Sequence, residues 1–155
     1  MSFLKNLKLV FEASSDKDIV TACKDKEQKL QHLQFIQDVI TRHNTNSFHI
    51  KEFAVIIIAA VFGVYMTRDS IQPNFILIPA FTTFFLGCLD AVYLKQERQY
   101  RKLYRDAVED KIALYDMNAN KYTVCFFSVL LSKTIGVFYG SLIATILVLR
   151  YWFIK

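Results

Sequence analysis

Glycine and proline are scarce in this 155-residue chain, at four and two residues, and tryptophan occurs once. Phosphate-cradling loops need clustered glycines so that successive backbone N–H groups can close around the anion. Here Gly63, Gly87, Gly136 and Gly140 stand apart, each inside an apolar stretch. No HExxH or GxSxG motif occurs. Cys23, Cys88 and Cys125 fall in three different segments without CxxC spacing, so neither a zinc site nor a disulfide framework is expected. The first long apolar run begins only near residue 53, so the expected route of membrane insertion is through internal helices, without a signal peptide. No enzyme activity, metal or organic cofactor is expected.

What the chain has in abundance is apolar surface: 54% hydrophobic residues and 15% aromatic, above the usual range for a soluble domain. It is concentrated in blocks at 53–66, 75–94 and 124–149, as in membrane proteins, whereas a soluble fold spreads it periodically. The net charge of +5 flanks these blocks, which fits anionic lipid headgroups as the partner; nucleic acid is not expected.

The run 74–94 carries one charge, Asp90, and is long enough for a helix to cross the hydrocarbon core of roughly 30 Å. Lys95, Arg98, Arg101, Lys102 and Arg105 follow at once, and such a basic cluster stays on the cytoplasmic side. The loop 67–74 holds one basic residue, Arg68, and is expected outside, with the N-terminus inside. The first membrane helix is expected over 48–67, with Lys51 at its inner end reaching toward headgroups. In the second, Pro79 predicts a kink eased by the Thr82 and Thr83 hydroxyls.

Three further elements are predicted before the first crossing. Residues 2–13 read as a short amphipathic helix that ends at the cap-prone Ser14, Ser15 and Asp16. A second helix runs to His43, with Leu30, Leu33, Phe35, Ile36, Val39 and Ile40 on one side, and a turn is expected over 43–47. Residues 95–115 read as a cytosolic extension of the second crossing, ending at 117–120 and facing the Leu30–Ile40 side. Glu97/Arg101, Lys102/Asp106 and Arg105/Glu109 are spaced to pair along it. The last block predicts an interfacial or half-inserted segment at 124–131, then a helix from Ile135 to Trp152 anchored by Arg150, Tyr151, Trp152 and Lys155.

The fold class is therefore an all-α integral membrane protein. It has about three transmembrane helices, or four membrane segments counting the one at 124–131, with amphipathic cytosolic helices at the N-terminus and between membrane helices 2 and 3. Residues 1–47 form the cytosolic part and 48–155 the membrane domain, with its extension at 95–120. Two rows of small residues stand out as helix-packing faces: Thr83, Gly87 and Ala91, and Ser132, Gly136, Gly140 and Ala144. Asp90 reads either as an interfacial carboxylate one turn from Lys95 or as a functional intramembrane acid. Arg98, Arg101 and Arg105 are candidate contacts to lipid or to an anionic trigger, since arginine grips phosphate or carboxylate with two bonds. His43 and His49 are close enough in sequence to share a site, but lone histidines at a membrane border more often meet headgroups.

The phrases FIQDVITRHNTNSFHIKEFAV, FLGCLDAVYLKQERQYRKLYRDAV and SKTIGVFYGSLI resemble a family of small bacterial inner-membrane proteins of unassigned activity. In that family a helix ending in a phrase like FIQxVIxR and an Asn-Ser turn precede the first membrane helix, and a phrase like LDxYYLxQERxFRxLYxxV follows the second. The layout is also similar to two-helix membrane effectors joined to nucleotide-signalling and anti-phage systems, from which this chain departs by its extra C-terminal helix. The resemblance implies a bacterial inner-membrane location and a likeness in architecture to such effectors. Two readings follow. One is a homo-oligomeric effector of anti-phage defence that perturbs or perforates the membrane when an anionic signalling nucleotide or a cytosolic partner protein reaches its cytosolic helices. The other is a membrane anchor or adaptor that recruits a cytosolic partner.

Overall fold

The computed structural model describes the backbone over residues 2–67 and 77–154, and side chains over 20–64, 67 and 77–151. Among the described residues four α-helices follow in order: α1 (Ser2–Met66), α2 (Leu77–Val108), α3 (Phe126–Leu130) and α4 (Lys133–Ile154), with a 3-10 turn at Ala119–Lys121. No strand occurs among the described residues. α1, α2 and α4 each contain a stretch long and apolar enough to cross a membrane.

α1 is one uninterrupted helix of 65 residues, about 100 Å at 1.5 Å per residue. This corrects two expectations: the chain neither caps at Ser14–Asp16 nor turns at 43–47. The second correction has a visible cause. His43, Asn44, Thr45, Asn46 and Ser47 are weak helix formers, each costing roughly 0.5 kcal/mol against alanine. That sum of about 2–3 kcal/mol is exceeded by what the helical form places here: Ser47 on a buried carboxylate, the His43 ring beside Tyr93 and Tyr100, and Ile40, Ile50 and Ala54 in buried positions. The side chains of the expected amphipathic segment 2–13, most of the loop 67–74, and Trp152 and Lys155 lie outside the described residues.

α2 runs antiparallel beside α1 and is the one element in contact with every other, so two cores form along it. The polar half of the hairpin closes on Ile36, Ile40, Leu103, Ala107 and Ala119, with Leu33, Tyr100, Tyr104 and Tyr122 around them. This is the predicted facing of the Leu30–Ile40 side and the extension, although Leu30 and Phe35 themselves stay exposed. The apolar half closes on Ala54, Ala91, Val129, Ile135 and Tyr139. The short α3 precedes α4 as expected, with Val129 fully buried against α2. Around this half Phe53, Ile56, Phe81, Phe84, Phe85, Val137, Leu147 and Val148 point outward and expose most of their surface.

Pro79 lies in α2, which is helical from Leu77 onward; residues 68–76 before it lie outside the described residues. Thr82 and Thr83 donate to the carbonyls of Ile78 and Pro79 at 2.9 and 2.7 Å.

α2 stops at Val108, well short of the expected 117–120. Asp110 takes a left-handed conformation (φ 55°), Lys111 N–H donates to Asp106 O at 2.9 Å and Asp110 N–H to Ala107 O at 3.3 Å. This is a Schellman-type ending with aspartate where glycine is usual. Lys29 on α1 holds it, with Nζ 2.6 Å from Asp110 Oδ1 and donating to Val108 O at 3.3 Å. Residues 109–118 then return over the hairpin: His32 lies 3.2 Å from Asp116 O, and Tyr115 donates to Gln31 at 3.0 Å. Of the three predicted pairs only Glu97–Arg101 forms, at 2.7 Å. Lys102 turns to Thr123 O, Asp106 accepts from Tyr122, and Glu109 pairs with Lys111.

Candidate functional site

Where the two halves of the hairpin meet, α2 carries Asp90 into the interior, fully buried. Its partner is not Lys95. Ser47 of α1 donates its hydroxyl to Oδ1, and the Lys51 ammonium stands 2.6 Å from Oδ2. That ammonium also donates to Ser47 Oγ at 2.7 Å. Lys51 to Oδ2 is a contact of charges, without the angle of a directed hydrogen bond. The Tyr139 hydroxyl of α4 is buried beside the same carboxylate, also without a hydrogen bond of ordinary geometry.

Two residues of α1 and one of α4 thus converge on one carboxylate of α2. Lys51 turns inward here and does not reach out toward headgroups: its side chain is only 18% exposed. The pairing follows from the antiparallel hairpin, in which residues equally far from the loop come level. Lys51 and Asp90 stand equally far from the two ends of 67–74, a signal present in the sequence and readable once the hairpin is assumed. Ser47 and Tyr139 gave no comparable signal.

The row Thr83, Gly87 and Ala91 is buried. Gly87 faces the Tyr139 ring, and a Cβ built there would stand 3.3 Å from Tyr139 Cγ. The row therefore accommodates an aromatic side chain, with Ala54 of α1 in the same cluster as Ala91. The second row behaves differently. Gly136, Gly140 and Ala144 are exposed, and nothing lies within 4 Å of a Cβ built at either glycine. α4 instead joins the cluster of Ala54, Ala91 and Val129 through Ile135 and Tyr139, and the Gly136/Gly140 face makes no packing contact among the described residues.

Farther along the hairpin, Arg101 and Arg105 line a cleft of about 470 Å³ with Gln37 and Ile40 of α1 and Tyr104 and Val108 of α2. Glu97 is buried and fixes Arg101 through Nε and a terminal nitrogen, each 2.7 Å from Oε1. Arg98 lies outside the cleft, about one turn from Arg101 and two from Arg105 toward the apolar half. The return segment leaves a second cavity of about 520 Å³ over His43, Tyr100 and Asn118. Burial first, and then Arg42, holds the His43 imidazole below its ordinary pKa against the opposing pull of Glu97, and its Nδ1 is buried without a partner. Hydrogen bonds from the Asn118 N–H and Lys121 lower Asp116, whereas burial and Asp106 push Tyr122 up to about 12. His43 and His49 do not share a site, since His49 pairs with Glu52 at 2.8 Å. Among the described residues no group of histidine, cysteine and carboxylate side chains is placed to hold a metal.

No family model, curated protein or solved structure matches this chain.

Proposed function

We propose that this protein is an oligomeric, non-catalytic membrane effector of the bacterial inner membrane, acting in anti-phage defence by perturbing or perforating the bilayer. The observation that carries the reading is the Lys51–Asp90 pair, buried between two membrane-competent helices. Burying two charges costs several kcal/mol that well-packed apolar residues of similar volume would not. A protein that rearranges its helices to pass ions gains ionisable groups it can expose, and intramembrane charges mark such pathways by default. The exposed Gly136/Gly140 face supports the homo-oligomer, because close helix contact through small residues is what holds membrane helices together. The defence role rests on the resemblance in architecture. The basic cluster after Leu94 supports a cytoplasmic N-terminus.

A second reading, a membrane adaptor for a cytosolic partner, is favoured by Val20, Leu30 and Phe35, which stay exposed along the polar part of α1.

Expression in a bacterial host with a membrane-potential dye separates the two. The effector reading expects depolarisation and growth arrest, relieved by Asp90→Asn at equal membrane levels. Intact potential and growth, with relocation of a cytosolic protein to the membrane fraction that Leu30→Ser abolishes, establishes the adaptor instead.

A further inference from the structure

We propose that the α1–α2 cleft formed by Gln37, Ile40, Arg101, Tyr104, Arg105 and Val108 binds a phosphorylated small molecule. Its phosphate is held by Arg101 and Arg105, and the rest of the ligand lies on Tyr104 and Ile40. The proposal deepens the effector reading by naming the class of its trigger, and its test is a binding measurement that does not require membrane activity.

The cleft, at about 470 Å³, has the size of ordinary small-molecule sites, about 300–1,000 Å³. Its two guanidinium groups are in different states. Arg101 is oriented by the buried Glu97, which uses two of its five donors and leaves the others free. Arg105 has no counter-ion among the described residues. Glu97 is the one acid within 95–105 against five basic residues, and the next acids along the chain are engaged, Asp106 by Tyr122, Glu109 by Lys111 and Asp110 by Lys29. One arginine satisfies a carboxylate; two a single turn apart suit a group with three or more anionic oxygens. Tyr104 and Ile40 supply an apolar floor, and Gln37 adds an amide from the other helix.

Position favours a free solute over a lipid headgroup as the source of the phosphate. Arg105 lies about 16 Å beyond Leu94 along the helix axis, whereas the headgroup layer is roughly 5–8 Å thick. Because α1 and α2 both line the cleft, an occupant would tie them together on the same hairpin that carries Lys51 and Asp90.

The test uses the full chain in detergent, titrated with a fluorescent adenosine triphosphate analogue and displaced by inorganic phosphate. Saturable binding is expected. Arg105→Gln, at an exposed position, should weaken it by about tenfold or more, and Arg98→Gln by less than about twofold. Tyr104→Leu should weaken the nucleotide and leave phosphate displacement unchanged. Unaltered thermal unfolding of each variant shows that the fold is intact. Nanodiscs distinguish the sources: if phosphatidylglycerol, but not phosphatidylcholine, displaces the analogue from wild type, the phosphate is a headgroup's; if neither does, it is a solute's. The proposal is overturned if neither nucleotide, phosphate nor phosphatidylglycerol binds saturably, or if Arg98→Gln is as damaging as Arg105→Gln. A chain that binds but never depolarises cells overturns the effector reading and leaves the site standing.

Discussion

The Lys51 ammonium stands 2.6 Å from the carboxylate of Asp90, a residue with no exposed surface, and this pair ties α1 to α2 where the polar and apolar halves of the hairpin meet. Removing one partner leaves the other charge buried alone. Asp90→Asn should therefore cost about 3–5 kcal/mol, while the double replacement Asp90→Leu with Lys51→Met should come back to within roughly 1–2 kcal/mol of wild type. Denaturant unfolding in detergent measures both. An Asp90→Asn protein as stable as wild type would show that the pair does not hold the hairpin.

The two glycine rows should respond in opposite ways. Gly87 faces the Tyr139 ring, so Gly87→Leu overpacks the bundle and should cost about 1–3 kcal/mol. Gly140 faces open space, so Gly140→Leu should leave monomer stability unchanged and lower the oligomer mass seen by light scattering. Loss of monomer stability in Gly140→Leu, or an unchanged mass, contradicts the assignment.

His43 should make the cytosolic part of the hairpin sensitive to acid. Its folded pKa lies below the ordinary 6.5, chiefly because burial disfavours the imidazolium. The unfolded chain then binds the proton more readily, so His43 contributes stability that is complete above 6.5 and lost as pH falls from there through the folded value. Thermal unfolding should drop across that window in wild type and less in His43→Phe. An identical drop in both proteins assigns the acid sensitivity elsewhere.

Topology is checked with reporters. A fusion after Arg105 is expected to read cytoplasmic, and one after Arg68 external, since the basic residues after Leu94 outnumber those between the first two spans. The reverse pattern would invert the orientation and place the phosphate cleft outside the cell.

Much of the fold was legible because its signals are local. Unbroken apolar runs announced three membrane-competent helices, and the side with Ile36 and Ile40 did meet the one with Leu103 and Ala107. The boundaries were less legible. The weak helix formers at 43–47 read as a turn, yet neighbours distant in sequence keep them helical. α2 ends at Val108 with Asp110, not glycine, in the left-handed position that follows, where Lys29 on another helix pairs with it.

The candidate sites divide in the same way. Asp90 was conspicuous as the lone charge in its run, and Arg101 and Arg105 as part of a basic cluster, because composition along the chain is enough to expose them. Which charge Asp90 meets was decided by the antiparallel register, which brings Lys51 level with it and leaves Lys95 one turn too far along. That Gly87 is covered while Gly140 is open was likewise decided by the rotation of α4 about its own axis, a quantity that two identical small-residue spacings cannot encode. The sequence by itself determined which stretches are helical and apolar enough to cross a membrane, since periodicity and run length act within a single element. Only the tertiary structure decided the partners, because a buried charge or a glycine face takes its meaning from whatever another helix sets against it.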